Sequence, residues 1–492
     1  MADTNATGFA WVTESAFKVA NTTGWRKAEV NNPTDFGAQI GKTARDPIST
    51  DRNRRAGKST SLRSSVTVEM DATLSHLRDF VPRFLFVTPT GVGTQAVSEY
   101  AVTAVVDGGG SEDEFTVGAD GDLVAGELVY ARGMGVEANN GLWLVVATSS
   151  ATAIKVATGS LTAEGTAPDN ATVEIAGVQG GSGDLEIDSN GDLISTTLDF
   201  EDYNLTVGQY IKIGGTAANT FFATSGNPYA RIDAIDANKL TLSRVAGDAL
   251  ATDNGSGKTI QIFYGRFCRN VDVNDADFNA ETITWEAAYD YSTPEYDYPV
   301  GNKCNLLSLG FPLENIATMT VGFVGGDTPA PTTSRKSGAS SALEPNATDS
   351  FSTASEIAFI NLLDENDADL GVQFESLTLS MNNNLTPKSV LGTFGAVTIP
   401  AGNIHIDLDG SMLFETTAMS TAARNDTDIG MQVGLANIDG AMILDVPSSR
   451  VGDAKLSFPR NETITQAIPL MVHKDPTLGY AASVSFFPHI PA

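Results

Sequence analysis

Hydrophobic and polar positions alternate in short runs along most of this chain, and the clearest run follows a stretch crowded with positive charge. Leu62, Ser64, Val66, Val68 and Met70 alternate with Arg63, Ser65, Thr67 and Glu69, the period of two that marks a strand with one buried face. Upstream, Asn31 to Lys58 reads as a long loop holding Lys42, Arg45, Arg52, Arg54, Arg55 and Lys58 against Asp35, Asp46 and Asp51. Downstream, Asp71 offers an N-cap, and Leu74, Leu77 and Val81 follow at helical spacing until Pro82 stops the run. The predicted unit is long loop, strand, short helix.

The same elements return near the other end. Glu375 to Met381 alternates, with Leu377, Leu379 and Met381 on one face, and Asn382 to Gly402 reads as a long loop. Ile404, Ile406, Leu408, Met412 and Phe414 resume a strand, and Glu415 to Arg424 is short, Ala-rich and predicted helical. Two matching units predict one β-barrel or sandwich built from related halves, with the middle of the chain inserted between them.

That middle differs in character. Gly108 to Gly110 mark a junction, so the first body spans 1–110. Inside 111–266, Leu123 to Tyr130 is echoed by Leu205 to Lys212, which predicts two small β modules, 111–182 and 183–266, linked through Gly177 to Asp184. The body resumes over 267–492, interrupted by a Pro-, Ser- and Thr-rich stretch, 328–350, read as a mobile linker.

Composition agrees with a mainly β chain. Of 492 residues, 47 are Gly and 20 are Pro, and no helical pattern exceeds a few turns. The longest apolar run, Leu142 to Ala147, is far shorter than the ~20 residues of a membrane span. Residues 1–10 have neither a basic nor an apolar leader segment, from which a soluble, cytoplasmically made chain is expected. Cys268 and Cys304 are too few for a disulfide framework and are expected to be buried thiols.

Charge sharpens the contrast between the two ends. The net charge is −30, yet residues 1–90 carry 12 Lys and Arg against 9 Asp and Glu, a net +3 that leaves −33 for the remainder. An acidic bulk repels nucleic acid, which argues against affinity for DNA. A basic segment on an acidic chain suits self-association instead, one copy's loop meeting another's acidic rim.

Catalytic and metal-binding patterns are weak. Gly57-Lys58-Ser59 and Gly257-Lys258-Thr259 imitate the end of a phosphate loop, but the earlier Gly is replaced by Arg52 and Thr252. His76, His405, His473 and His489 have no metal-ligand spacing. The acidic stretches at Asp188, Asp272 and Asp364 lack a calcium-loop pattern and read as solvated turns. No cofactor, metal or catalytic residue is assigned, and no enzymatic activity is expected.

The segment from Gly301 to Asp327, a Leu-rich strand, a Pro-Leu-Glu-Asn turn and a strand closing on Gly-Phe-Val-Gly-Gly, resembles the major tail tube proteins of long-tailed, non-contractile bacteriophages. Asp46 to Lys58, Met381-Asn-Asn-Asn384 and the stretch His473 to Tyr480 fit the same family. The resemblance implies a tail-tube β-barrel or sandwich with a short flanking helix, forming six-membered rings that stack into a hollow tail through which DNA passes without specific binding. It further implies a tape measure protein in the bore, tail tip and tail terminator proteins at the ends, and no membrane partner. Inter-ring stacking then falls to Lys42, Arg45, Arg52, Arg54, Arg55 and Lys58, with the inserted modules on the exterior. The alternative is a tail-tip or surface adhesin gripping a host glycan or protein through its repeats.

Overall fold

A computed structural model describes the chain except residues 1–6, 46–47, 49–52, 54, 92–98, 119–122, 148, 291–292, 346–347 and 492. The body is built on β1 (Thr7–Ala16), β2 (Asn32–Ala44), β3 (Gly57–Asp71), α1 (Leu74–Leu85), β4 (Phe267–Arg269), β5 (Ile283–Tyr289), β6 (Lys303–Phe311), β7 (Thr318–Gly325), β8 (Ile357–Leu363), β9 (Phe374–Asn382), β10 (His405–Leu413), α2 (Ala418–Asn425), β11 (Asp428–Asn437), β12 (Gly440–Val451), β13 (Thr465–Val472) and β14 (Ser483–Phe487). One large antiparallel sheet runs β2-β3-β7-β6-β9-β10-β13-β12-β14-β4, with β11 and β8 continuing from β12. It folds over a single core in which Val66, Met319, Leu307, Leu379 and Leu408 meet Val433, Leu444 and Val484, with α1 and the β1–β5 pair also packed against that core.

The related halves appear as a repeated strand order. Read across the sheet, β2-β3-β7-β6 is followed by β9-β10-β13-β12, and each half opens with a hairpin whose second strand leads into a helix. Strands in matching places run the same way because every pairing in the series is antiparallel. The expected alternation holds where one face is sealed: Val66, Val68 and Met70 are fully buried, and Leu377, Leu379 and Met381 nearly so. Both cysteines are free and buried.

Several boundaries differ from the sequence reading. The long loop from Asn31 is largely a 13-residue strand, β2, with little buried surface and therefore only a short, weak hydrophobic period to announce it. Asp71 ends β3, and the helix is capped by Thr73, whose Oγ1 accepts from the N–H of His76 at 3.2 Å. Pro82 does not stop α1, which continues to Leu85 because Phe84 and Leu85 are driven into the core. The turn then closes with Phe86 in the left-handed region, donating to the Pro82 carbonyl. Within the stretch 328–350 the middle is tied down: Arg335 forks onto buried Glu286 at 2.6–3.2 Å, and the Lys336 N–H donates to the Tyr298 hydroxyl.

The inserted region forms its own 12-stranded sheet. Glu99–Val106, placed in the first body by sequence, pairs with Thr172–Gln179 and belongs to this sheet. Gly177 to Gln179 are likewise strand rather than linker, pairing with Gln261–Phe263 and so joining the first module's sheet to the second's. Where the chain leaves and rejoins the body, Thr90 and Phe267 exchange two backbone hydrogen bonds of 2.9 and 2.7 Å.

Candidate assembly interface

The β2–β3 hairpin begins inside the sheet and ends outside it. β7 pairs with β3 only from Ser64 to Asp71, so Gly57 to Arg63 and the facing part of β2 extend as a two-stranded ribbon. Seven residues at ~3.4 Å each carry the ribbon about 24 Å past its neighbour. Lys42 lies on β2 and Lys58 on β3 near the ribbon's tip, with Arg45 and Arg55 just beyond the two strands. All four are exposed, and none makes an ion pair with another described residue. Arg52 and Arg54 lie outside the described residues. The structure thus brings four of the six sequence-assigned cations to one projecting tip.

β2 is also an edge that the sequence reading missed. Among the described residues no strand pairs with its far side. Beside that edge lies a groove of about 900 Å³ lined by Phe9, Val30, Pro33, Phe36 and Tyr289, and Phe36 stands edge-on to Phe9 at 5.7 Å. The alternation of Phe36, Ala38 and Ile40 was the available signal, masked by the surrounding charge. An unpaired edge of this length is a template for another strand.

The repeat shows what such an edge lacks. Phe36 faces Val66 across the first hairpin, and Leu379 faces Leu408 across the second. Val66 and Leu408 are inward residues of equivalent strands, so Phe36 and Leu379 hold equivalent places. β6 covers the outer side of β9, and Leu379 is completely buried. Among the described residues no strand covers the outer side of β2. At the opposite side of the series, Met471 of β13 and Phe458 are exposed.

Most of the open face of the sheet is polar, with Leu306 and exposed Met471 as apolar breaks. Glu69, Thr320, Ser308, Ser380 and Asp407 stand in one cross-strand row over five strands, and Asp71, Thr318, Thr378 and Asp409 lie in the next. Short hydroxyls and carboxylates coat it.

The insertion sits on the other side of the body. Tyr210, Tyr229 and Phe263 pack on Phe359, Ile443 and Phe487 in a shared apolar cluster. Two ion networks border it. Arg244 donates to Asp445 and Asp367, each at 2.8 Å, and Arg231 lies 3.5 Å from Asp445. Tyr210 also donates to Asp445, and burial together with that carboxylate pushes the phenol well up. In the second network Arg78 of α1 pairs with Glu174, and Arg266 with Glu99 at 2.6 Å. Burial acts to raise the Glu99 carboxyl, but Arg266 and Arg78 outweigh it and hold the group at about 2.

No group of three or more His, Cys, Asp or Glu among the described residues is arranged to hold a metal ion. The family described as Phage tail tube protein matches residues 214–472, more than half of the chain, from within the insertion to the end of β13. No curated protein matches it.

Proposed function

This chain belongs to the phage tail tube protein family and is a structural component of the virion tail, and on that footing we propose that its copies close side by side into rings that stack into a hollow tube for DNA ejection. The unpaired edge of β2 carries this reading. Seven strands in the order β2-β3-β7-β6-β9-β10-β13 alternate in direction and the short segment Leu456–Ser457 adds antiparallel outside β13, so the β2 of a following copy meets that short edge antiparallel. The junction between halves, β6 on β9, is then the template for the junction between chains. Exposed Phe458 meets the groove around Phe36, and apolar burial at ~25 cal/mol per Å² favours closure.

Closure of this kind turns the hydroxyl-and-carboxylate face inward and leaves the insertion outside. Charge on the wall is felt by a passing duplex only within the ~8 Å Debye length at physiological salt, and Glu69, Asp407 and Asp409 repel its phosphates. DNA therefore transits without being held. The bore accommodates a tape measure protein before ejection, the ends meet tail tip and tail terminator proteins, and assembly takes place in the host cytoplasm. The ribbon bearing Lys42, Arg45, Arg55 and Lys58, together with Arg52 and Arg54 of the same segment, reaches the neighbouring ring.

Negative-stain microscopy of the purified protein tests this directly. Rings or hollow rods are expected, and a protein that remains a monomer at high concentration overturns the reading.

A further inference from the structure

The β6–β7 hairpin ends in opposite shapes. At one end the turn Pro312–Ile316 protrudes, with Leu313 67% and Ile316 41% exposed and Glu314 held at a φ of 52°. The turn is rigid. Thr353 Oγ1 contacts the Pro312 and Asn315 carbonyls at 2.6 and 2.9 Å, the Thr353 N–H donates to Asn315, and the Asn315 side chain accepts from the Ile316 N–H. At the other end the hairpin floors a groove of about 610 Å³. Val324 and Gly325 form its base, Leu62 and Arg63 of the ribbon one wall, and Leu385 and Pro387 the other.

We propose that the Pro312–Ile316 turn of one copy seats in this groove of the next copy along the tube. The inference rests on the tube reading and names the surface that receives the stacking end. Three observations favour a second copy as occupant. Knob and groove lie at the two ends of one hairpin, so translation along it superimposes them. The groove's volume falls in the ~300–1,000 Å³ range that encloses a small ligand, and its apolar residues Leu62, Val324 and Leu385 suit Leu313. The charges are complementary: Lys42, Arg55, Lys58, Arg63 and Lys388 surround the groove end, whereas Glu314, Glu356 and Glu375 mark the turn end. A contact that joins unlike surfaces does not close on itself by translation, so it propagates as a stack. Because the turn is already fixed, little ordering opposes docking.

A double variant, Leu313→Cys with Ser389→Cys, tests the contact in assembled rods. The two positions are at opposite ends of one copy and cannot bridge within it, and Cys268 and Cys304 are buried. Mild oxidation is expected to give a ladder of covalent multimers on a non-reducing gel, and L313D is expected to give rings that do not lengthen into rods. Rods without a ladder, or L313D rods as long as the parent's, overturn the inference. A parent that makes neither rings nor rods overturns the tube reading instead. Should L313D lose the parent's thermal unfolding profile, E314R at the same exposed turn replaces it, with the same two outcomes.

Discussion

Phe36 and Leu379 occupy equivalent places in the two halves of the sheet, yet Leu379 is completely buried beneath β6 while Phe36 remains partly open to solvent. The difference is that, among the described residues, no strand covers the outer side of β2. Phe36→Asp is therefore expected to fold, since its position is peripheral to the main core, but to shift the population from rings to single chains. Light scattering coupled to size exclusion, with circular dichroism to verify the fold, checks this.

Reversing Lys42, Arg55 and Lys58 to Glu removes three exposed cations from the ribbon. Rings are expected to persist while rod length falls sharply in micrographs. Raising ionic strength from 0.15 to about 1 M shortens the Debye length from ~8 to ~3 Å, so parent rods are expected to shorten in the same direction. An unchanged length distribution in both experiments removes the ribbon from the stacking contact.

Asp445 is fully buried and faces both Arg231 and Arg244 of the insertion. Asp445→Asn leaves the two guanidinium groups without a buried countercharge, and breaking such a pair costs roughly 3–5 kcal/mol. Thermal unfolding is expected at lower temperature, and limited proteolysis is expected to release the inserted region sooner than in the parent.

Acid acts on the second network. The Glu99 carboxyl lies at about 2, below its ordinary value near 4.5. A depressed carboxyl contributes stability above the unfolded value and loses it as pH falls toward the folded one. Between about pH 4.5 and 2 the Arg78, Arg266, Glu99 and Glu174 contacts are expected to weaken, whereas Glu99→Gln flattens that part of the stability profile. Denaturant midpoints measured across the range check the sign.

Much of the fold was legible because one-sided burial writes itself into the sequence. The alternation at Val66, Val68 and Met70, and again at Leu377, Leu379 and Met381, located both sheet halves and their shared order. β2 was not legible for the converse reason: a strand that seals nothing within its own chain has little apolar period to read. Local rules also misplaced the helix limits, since the Pro82 penalty was outweighed by burial of Phe84 and Leu85. The basic tip was found from charge alone, but the Pro312–Ile316 knob at the opposite end of the sheet is defined by contacts to Thr353 that no spacing reveals.

The paired backbone at Thr90 and Phe267 has a wider meaning for how such tails diversify. A detour that departs and returns on adjacent atoms leaves the path of the wall unbroken, so it can be exchanged wherever Asp445 and the apolar cluster beneath it change in step. On the proposed assembly, particles sharing one conduit can thereby wear different coats toward the world outside.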